Sequence, residues 1–238
     1  MRKWFLVAAV MALCTTTVYA QSAKNTLQMG DNQARLVSGG AGAADTGWNV
    51  VMGNNDINAG SAVRIHTSQQ KDLVFGASFE CGVYTRTLAK TKGGNVDTSK
   101  AEARVEIRIK VDPGTANERT AYPGEITFCQ RYQELSVKLQ GILDLACLDT
   151  NGDGNLDTCD LNVIDDEYVE LVQSTLNANA FFFALDDLGT GTHNIVVEAR
   201  ITSSTDFLNG AAEASALIGK GAVTVEEARL LKAGDITE

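Results

Sequence analysis

From Cys147 to Asp160 the chain reads Cys-Leu-Asp-Thr-Asn-Gly-Asp-Gly-Asn-Leu-Asp-Thr-Cys-Asp, with oxygen-bearing side chains at alternate positions. A chain that coils at its glycines can turn such side chains toward one centre, and gathered carboxylate and amide oxygens suit a hard divalent cation. Asp149, Asn151 and Asp153 are placed to supply side-chain oxygens, and Asn155 a backbone carbonyl. Asp157 would add an oxygen or hold a water, and Asp160 the closing carboxylate. Gly154 stands where the loop must turn sharply, and Leu156 is the apolar residue that anchors it. Ca2+ is expected over Mg2+ because it accepts six to eight oxygens in irregular geometry.

The spacing is similar to the EF-hand loop, with Asp160 where Glu is usual. It resembles still more the thrombospondin type 3 repeat, whose short aspartate-rich loops carry a cysteine just before a final aspartate, as Cys159-Asp160 does. The resemblance covers one short stretch, so it implies a metal site and no wider function.

Export frames this chemistry. Arg2 and Lys3 precede an apolar run from Trp4 to Leu13, and Val18-Tyr19-Ala20 supplies small residues before Gln21. Residues 1–20 therefore read as a secretory leader cleaved after Ala20, too short in its apolar part to span a bilayer, which takes about 20 residues. A soluble mature chain is expected, secreted or at the cell surface, with the periplasm as the alternative. Once Cys14 leaves with the leader, Cys81, Cys129, Cys147 and Cys159 remain, and four cysteines allow three connectivities. Their positions around the loop favour Cys147–Cys159 on local grounds, which leaves Cys81–Cys129 by elimination. The formal net charge of −10 disfavours nucleic-acid binding, which needs clustered Lys and Arg, and it suits solubility or cation collection equally.

The elements that must position the loop are mostly strands. Leu73, Phe75, Ala77, Phe79, Cys81 and Val83 alternate onto one face. Ala103, Val105, Ile107, Ile109 and Val111 do the same, opposite Glu102, Arg104, Glu106, Arg108 and Lys110, before an Asp112-Pro-Gly turn. Two strands are expected at 125–130 and 134–140, and further ones at 181–185, 194–201, 211–218 and 222–231. After the loop, Ile164, Tyr168, Leu171, Val172, Thr175 and Leu176 recur at helical spacing behind an acidic first turn, which predicts one short helix at 164–177. Residues 21–60, rich in Gly, Ala, Asn and Ser, read as a flexible segment with a first strand at 48–52.

From Phe181 to Ile201 a leucine precedes a Gly-rich turn, and Thr-His leads into a Val-rich strand. This resembles the last hairpin of immunoglobulin-like domains and implies a two-sheet sandwich. The expected fold is thus a mainly β, immunoglobulin-like antiparallel sandwich over 61–238, with a calcium-loop and helix insertion at 144–178.

His66 and His193 are the only histidines and lack a nucleophile signature; His193 reads as a structural hydrogen-bonder in a turn. Asp186-Asp187 is more simply a turn than an acidic pair. Trp48, Tyr84, Tyr122 and Tyr132 are candidates for a sugar-binding face, with core or rim packing the plainer role. No phosphate loop, nucleophile elbow or zinc spacing is present. These features point away from an enzyme and toward a secreted calcium-binding structural or adhesive protein. Its partner would be itself, in an oligomer or filament, or a surface glycan. A calcium-stabilised carbohydrate- or ligand-binding module is the alternative.

Overall fold

The computed structural model describes residues 25–30, 34–39, 42–90, 96–138, 142–148, 151–155, 158–164 and 168–230. Their secondary structure is all strand: β1 (Asn25–Gly30), β2 (Ala34–Gly39), β3 (Gly42–Asp45), β4 (Asn49–Met52), β5 (Val63–Thr67), β6 (Lys71–Lys90), β7 (Asp97–Val111), β8 (Arg119–Thr120), β9 (Ile126–Val137), β10 (Ile142–Leu148), β11 (Thr158–Ile164), β12 (Tyr168–Leu188), β13 (Gly191–Phe207) and β14 (Ala211–Ala228). One antiparallel sheet runs β1-β14-β6-β12, with β2 also on β14. The other runs β3-β13-β7-β8, with β4 and β5 on β13 and β9 on β7. β10 and β11 form a separate two-stranded hairpin.

Alternation in sequence becomes burial in space. The residues read as one face of β6, from Leu73 to Val83, are buried, as are Ala103, Val105, Ile107, Ile109 and Val111 of β7. Both sets enter one core with Ile195, Val197 and Ile201 of β13 and Ala214, Ile218, Val223 and Val225 of β14. The two sheets therefore face each other across a shared apolar layer. The opposite face of β7 meets water through ion pairs to neighbouring strands: Arg108 to Glu198 at 2.7 Å and Arg200 to Glu106 at 2.8 Å. Cys81 of β6 and Cys129 of β9 form a disulfide between the sheets, with Cα atoms 6.4 Å apart.

Several expectations are corrected. Residues 168–177 are not helical; they begin β12, which pairs with β6 without interruption from Tyr168–Lys90 to Leu185–Leu73. The helical spacing arises because apolar residues occupy both faces of an exposed strand: neighbours such as Leu171 and Val172 point to opposite sides yet mimic an i, i+3, i+4 pattern. The two strands expected at 125–130 and 134–140 are a single β9, whose register shifts near Cys129. Residues 42–60 are built into the fold: β3 and β4 pair with β13, and Val51 and Met52 are buried in the core. The stretch from Phe181 to Ile201 is a corner between sheets, because β12 lies in one sheet and β13 in the other. It therefore lacks the hairpin pairing of immunoglobulin-like domains.

The Cys81–Cys129 bond closes a loop of 48 residues. Chain-entropy arguments put its stabilisation at about 4 kcal/mol. Replacing both cysteines with alanine should lower the unfolding free energy by about that amount in urea titration, with the strand signature of the circular dichroism retained.

Candidate metal centre

The loop of interest caps the β10–β11 hairpin. Backbone pairing runs from Ile142–Ile164 to Leu148–Thr158 and sets Cys147 directly opposite Cys159. Between the strands the chain makes two consecutive side-chain turns. The Asp153 amide donates to Asn151 Oδ1 at 2.9 Å, and the Asn155 amide donates to Asp153 Oδ1 at 2.8 Å. Asn151 Nδ2 also donates to Asp153 Oδ2 at 3.2 Å. Short amide and carboxylate side chains reach their own backbone two residues on, and that capture coils the chain. Gly152 and Gly154, with φ of 77° and 86°, take the left-handed conformation that a side chain would penalise. Asn151, Asp153 and Asn155 are all exposed.

Of the proposed ligands, these three fall among the described residues with their side chains. Asp149 and Asp157 lie outside them, as does Leu156, and Asp160 is placed only by its backbone, opposite Ala146. Among the described residues no group of three or more His, Cys, Asp or Glu gathers around a metal position.

A second coil of the same kind was not singled out from sequence. At Asn54, Asp56 and Asn58 the same alternate spacing gives Asp56 N to Asn54 Oδ1 and Asn58 N to Asp56 Oδ1, both at 2.9 Å. There the turn has a structural partner: the Asn54 carbonyl accepts from Asn194 Nδ2 at 2.7 Å. The comparison shows that a ladder of side-chain turns is local chemistry. What distinguishes the 149–160 loop is its additional acids, Asp149, Asp157 and Asp160.

The other candidates take part in local hydrogen bonds, ion pairs or ring contacts. His193 Nδ1 lies 2.7 Å from Asp112 Oδ2 and its Nε2 lies 3.0 Å from the Gly189 carbonyl, so the ring joins two turns. Asp112, at φ 53°, also accepts the Asn194 amide at 2.8 Å. His66 meets Thr192 Oγ1 at 3.1 Å. Asp186 pairs with Arg119 at 2.9 Å, and Asp187 is a positive-φ turn residue whose amide donates to Asp72. The aromatics do not assemble into one face. Trp48 stacks under the guanidinium groups of Arg108 and Arg200, 4.1 and 4.8 Å from the ring centroid. Tyr84 lies on β6 in the other sheet. Tyr122 bridges to Ala184, and Tyr132 donates to Glu134 at 2.6 Å, a bond that raises its phenol above the ordinary tyrosine value.

No family model and no curated protein matches the chain. Among solved structures, a chain of infectious bursal disease virus, Gx strain, aligns at 10% identity with a TM-score of 0.26, covering 90% of this chain and 38% of that one. The VP2 subviral particle of infectious bursal disease virus aligns at 8% identity and a TM-score of 0.16, covering 88% and 41%. The chain thus spans about two fifths of the length of these structures, and scores of this size assign neither a fold family nor a function.

Asp112 holds a strained turn against two buried donors, whereas Asp186 makes an exposed ion pair. Asp112→Ala should cost about 2 kcal/mol of unfolding free energy and Asp186→Ala well under 1 kcal/mol, compared by urea denaturation at neutral pH.

Proposed function

We propose that the chain is an exported, non-catalytic structural protein whose 149–160 loop takes up Ca2+ as a local brace and which works by associating with further copies of itself. The observation that carries this reading is a coiled hairpin tip whose sequence adds Asp149, Asp157 and Asp160, acids that the similar coil at Asn54, Asp56 and Asn58 lacks. Asn151 and Asp153 are already turned onto successive backbone amides, at the end of a hairpin that sets Cys147 across from Cys159. The carboxylate oxygens of Asp149, Asp153, Asp157 and Asp160 would provide the charge such a cation needs, and Asn151 and Asn155 neutral oxygens.

Binding would order the loop, because ligands scattered in the metal-free chain must converge to hold the ion. A Cys147–Cys159 bond would reduce the freedom that convergence removes. Loops of this class outside cells work at dissociation constants of about 0.1–1 mM, so abundant extracellular calcium would keep this one filled. That favours a permanent brace over a sensor. The Cys81–Cys129 disulfide supports an oxidising destination.

Calorimetry on the mature protein should show uptake of one Ca2+, and Asp153→Ala should abolish or weaken it by about tenfold or more. The same substitution should lower the melting temperature in calcium and leave it unchanged in chelator. Heatless titration of the folded wild-type protein, with no calcium effect on melting, would contradict the metal assignment.

A further inference from the structure

The first sheet ends on one side in β12, a strand of 21 residues. Its inner neighbour is β6 along the whole length. On its outer side, among the described residues, the Asp186 carbonyl accepts from Arg119 at 2.7 Å, and backbone pairing is confined to Ala184, whose amide and carbonyl exchange hydrogen bonds with Tyr122 at 2.9 and 2.8 Å. This contact fixes the phase of the strand. In an antiparallel ladder, residues whose backbone groups point outward alternate with those bonded inward. With no register shift between Tyr168 and Leu185, every second residue from Tyr168 to Phe182 aims its N–H and C=O away from β6. The open edge is about 50 Å long at the usual rise per residue.

Exposed edges are normally blunted by charge, proline, bulges or shortness. The other long outer strand, β9, carries Arg131 and Glu134 and a register shift. The opposite side of the first sheet is finished by two six-residue strands, β1 and β2. Between Tyr168 and Leu185 β12 has no proline and no register shift, and its single charge is Glu170, in a chain of net charge −10; its register shift and its two aspartates come only after Leu185. Its outer face adds apolar surface, with Val172, Leu176 and Phe182 exposed by 51, 64 and 72%. Phe182 lies over Gly76 and Leu176 over Gly82, where a Cβ would meet their carbons at 3.4 Å. A groove of about 360 Å³ beside Leu176 extends across Tyr84 and Leu217.

The geometry points to the outer edge of β12 as the surface on which a second copy of this chain pairs, antiparallel, to join two sheets into one; this rests on the self-association proposed above. A second copy fits for three reasons. An antiparallel strand is complementary to itself under two-fold symmetry, so every outward donor meets an outward acceptor. The register that uses the whole edge centres on Thr175 and sets Tyr168 against Phe182 twice. In that register Glu170, which pairs with Arg86, faces Ala180 and does not meet its like, so two acidic molecules approach where acid is least dense, with the Arg131 side chains that donate to Thr175 beside the axis. The contact is narrow beside the roughly 800 Å² per partner of a standard interface, so the pairing is reversible and concentration-dependent.

Sedimentation equilibrium of the mature protein in calcium should reveal a monomer–dimer equilibrium from micromolar to millimolar concentrations. Ala178→Pro removes one outward donor per copy and Leu176→Lys adds charge beside the axis. Each should weaken association by about tenfold or more, with the melting temperature of the monomer unchanged. Independently, Thr175→Cys should oxidise to a reducible dimer, since residues facing across a non-hydrogen-bonded pair lie at about 4.5 Å, within disulfide range. Asn179→Cys, two rungs from the axis, should not. Dimers that persist unchanged in both edge variants and give no cross-link at 175 would overturn the edge while leaving self-association in place. A wild-type chain that stays monomeric throughout would overturn both.

Discussion

The fold depends on the inner face of β6. From Leu73 to Val83 its alternate residues are buried, while its two flanks are taken by β14 and β12. A slip of one residue would turn that whole face outward, so the core fixes the register of both neighbours at once. The same face carries Cys81, and its bond to Cys129 holds β9 of the second sheet in place. β12 is in turn positioned from both sides. β6 supplies its ladder, and β9 reaches its inner face through Gln133 to the Leu171 carbonyl at 2.7 Å, Arg131 to Thr175, and Asn179 to the Phe128 carbonyl at 3.1 Å.

The order of the chain gives that arrangement a consequence for the loop. β9 is followed in the chain by the β10–β11 hairpin and then by β12, so the hairpin lies in sequence between a strand of one sheet and a strand of the other. Its tip is a coil of exposed Asn and Asp. A cation at the tip would stiffen the hairpin without being needed by the apolar layer. Bracing, in the proposed reading, is local, and the proposed means of association is the edge of β12, where Glu170 is the strand's one charge before Leu185.

Strand positions with one buried face were legible in the sequence. Val105, Ile107 and Ile109 alternate with Arg104, Glu106 and Arg108 because one side meets the core and the other the ion pairs of neighbouring strands. Legibility failed where both faces are open. At Leu171, Val172 and Leu176 alternation carries no burial signal, and spacing alone mimics a helix that the ladder to β6 overrides. The strand expected at 48–52 is β4 (Asn49–Met52), which finishes the edge of β13 with Val51 and Met52 in the core. The turns at Asn151 and Asp153 were readable because glycine and side-chain oxygens act within a few residues. The repeat at Asn54, Asp56 and Asn58 shows the same rule, and its spacing was there to be seen.

The central claim is that calcium braces one hairpin and leaves the two-sheet core to stand alone. Hydrogen–deuterium exchange on the mature protein, with calcium and with chelator, tests it most directly. The account predicts faster exchange without calcium across residues 142–164 and unchanged protection in β6, β7 and β13. Equal exchange in the hairpin under both conditions, or loss of protection throughout the core, would contradict it.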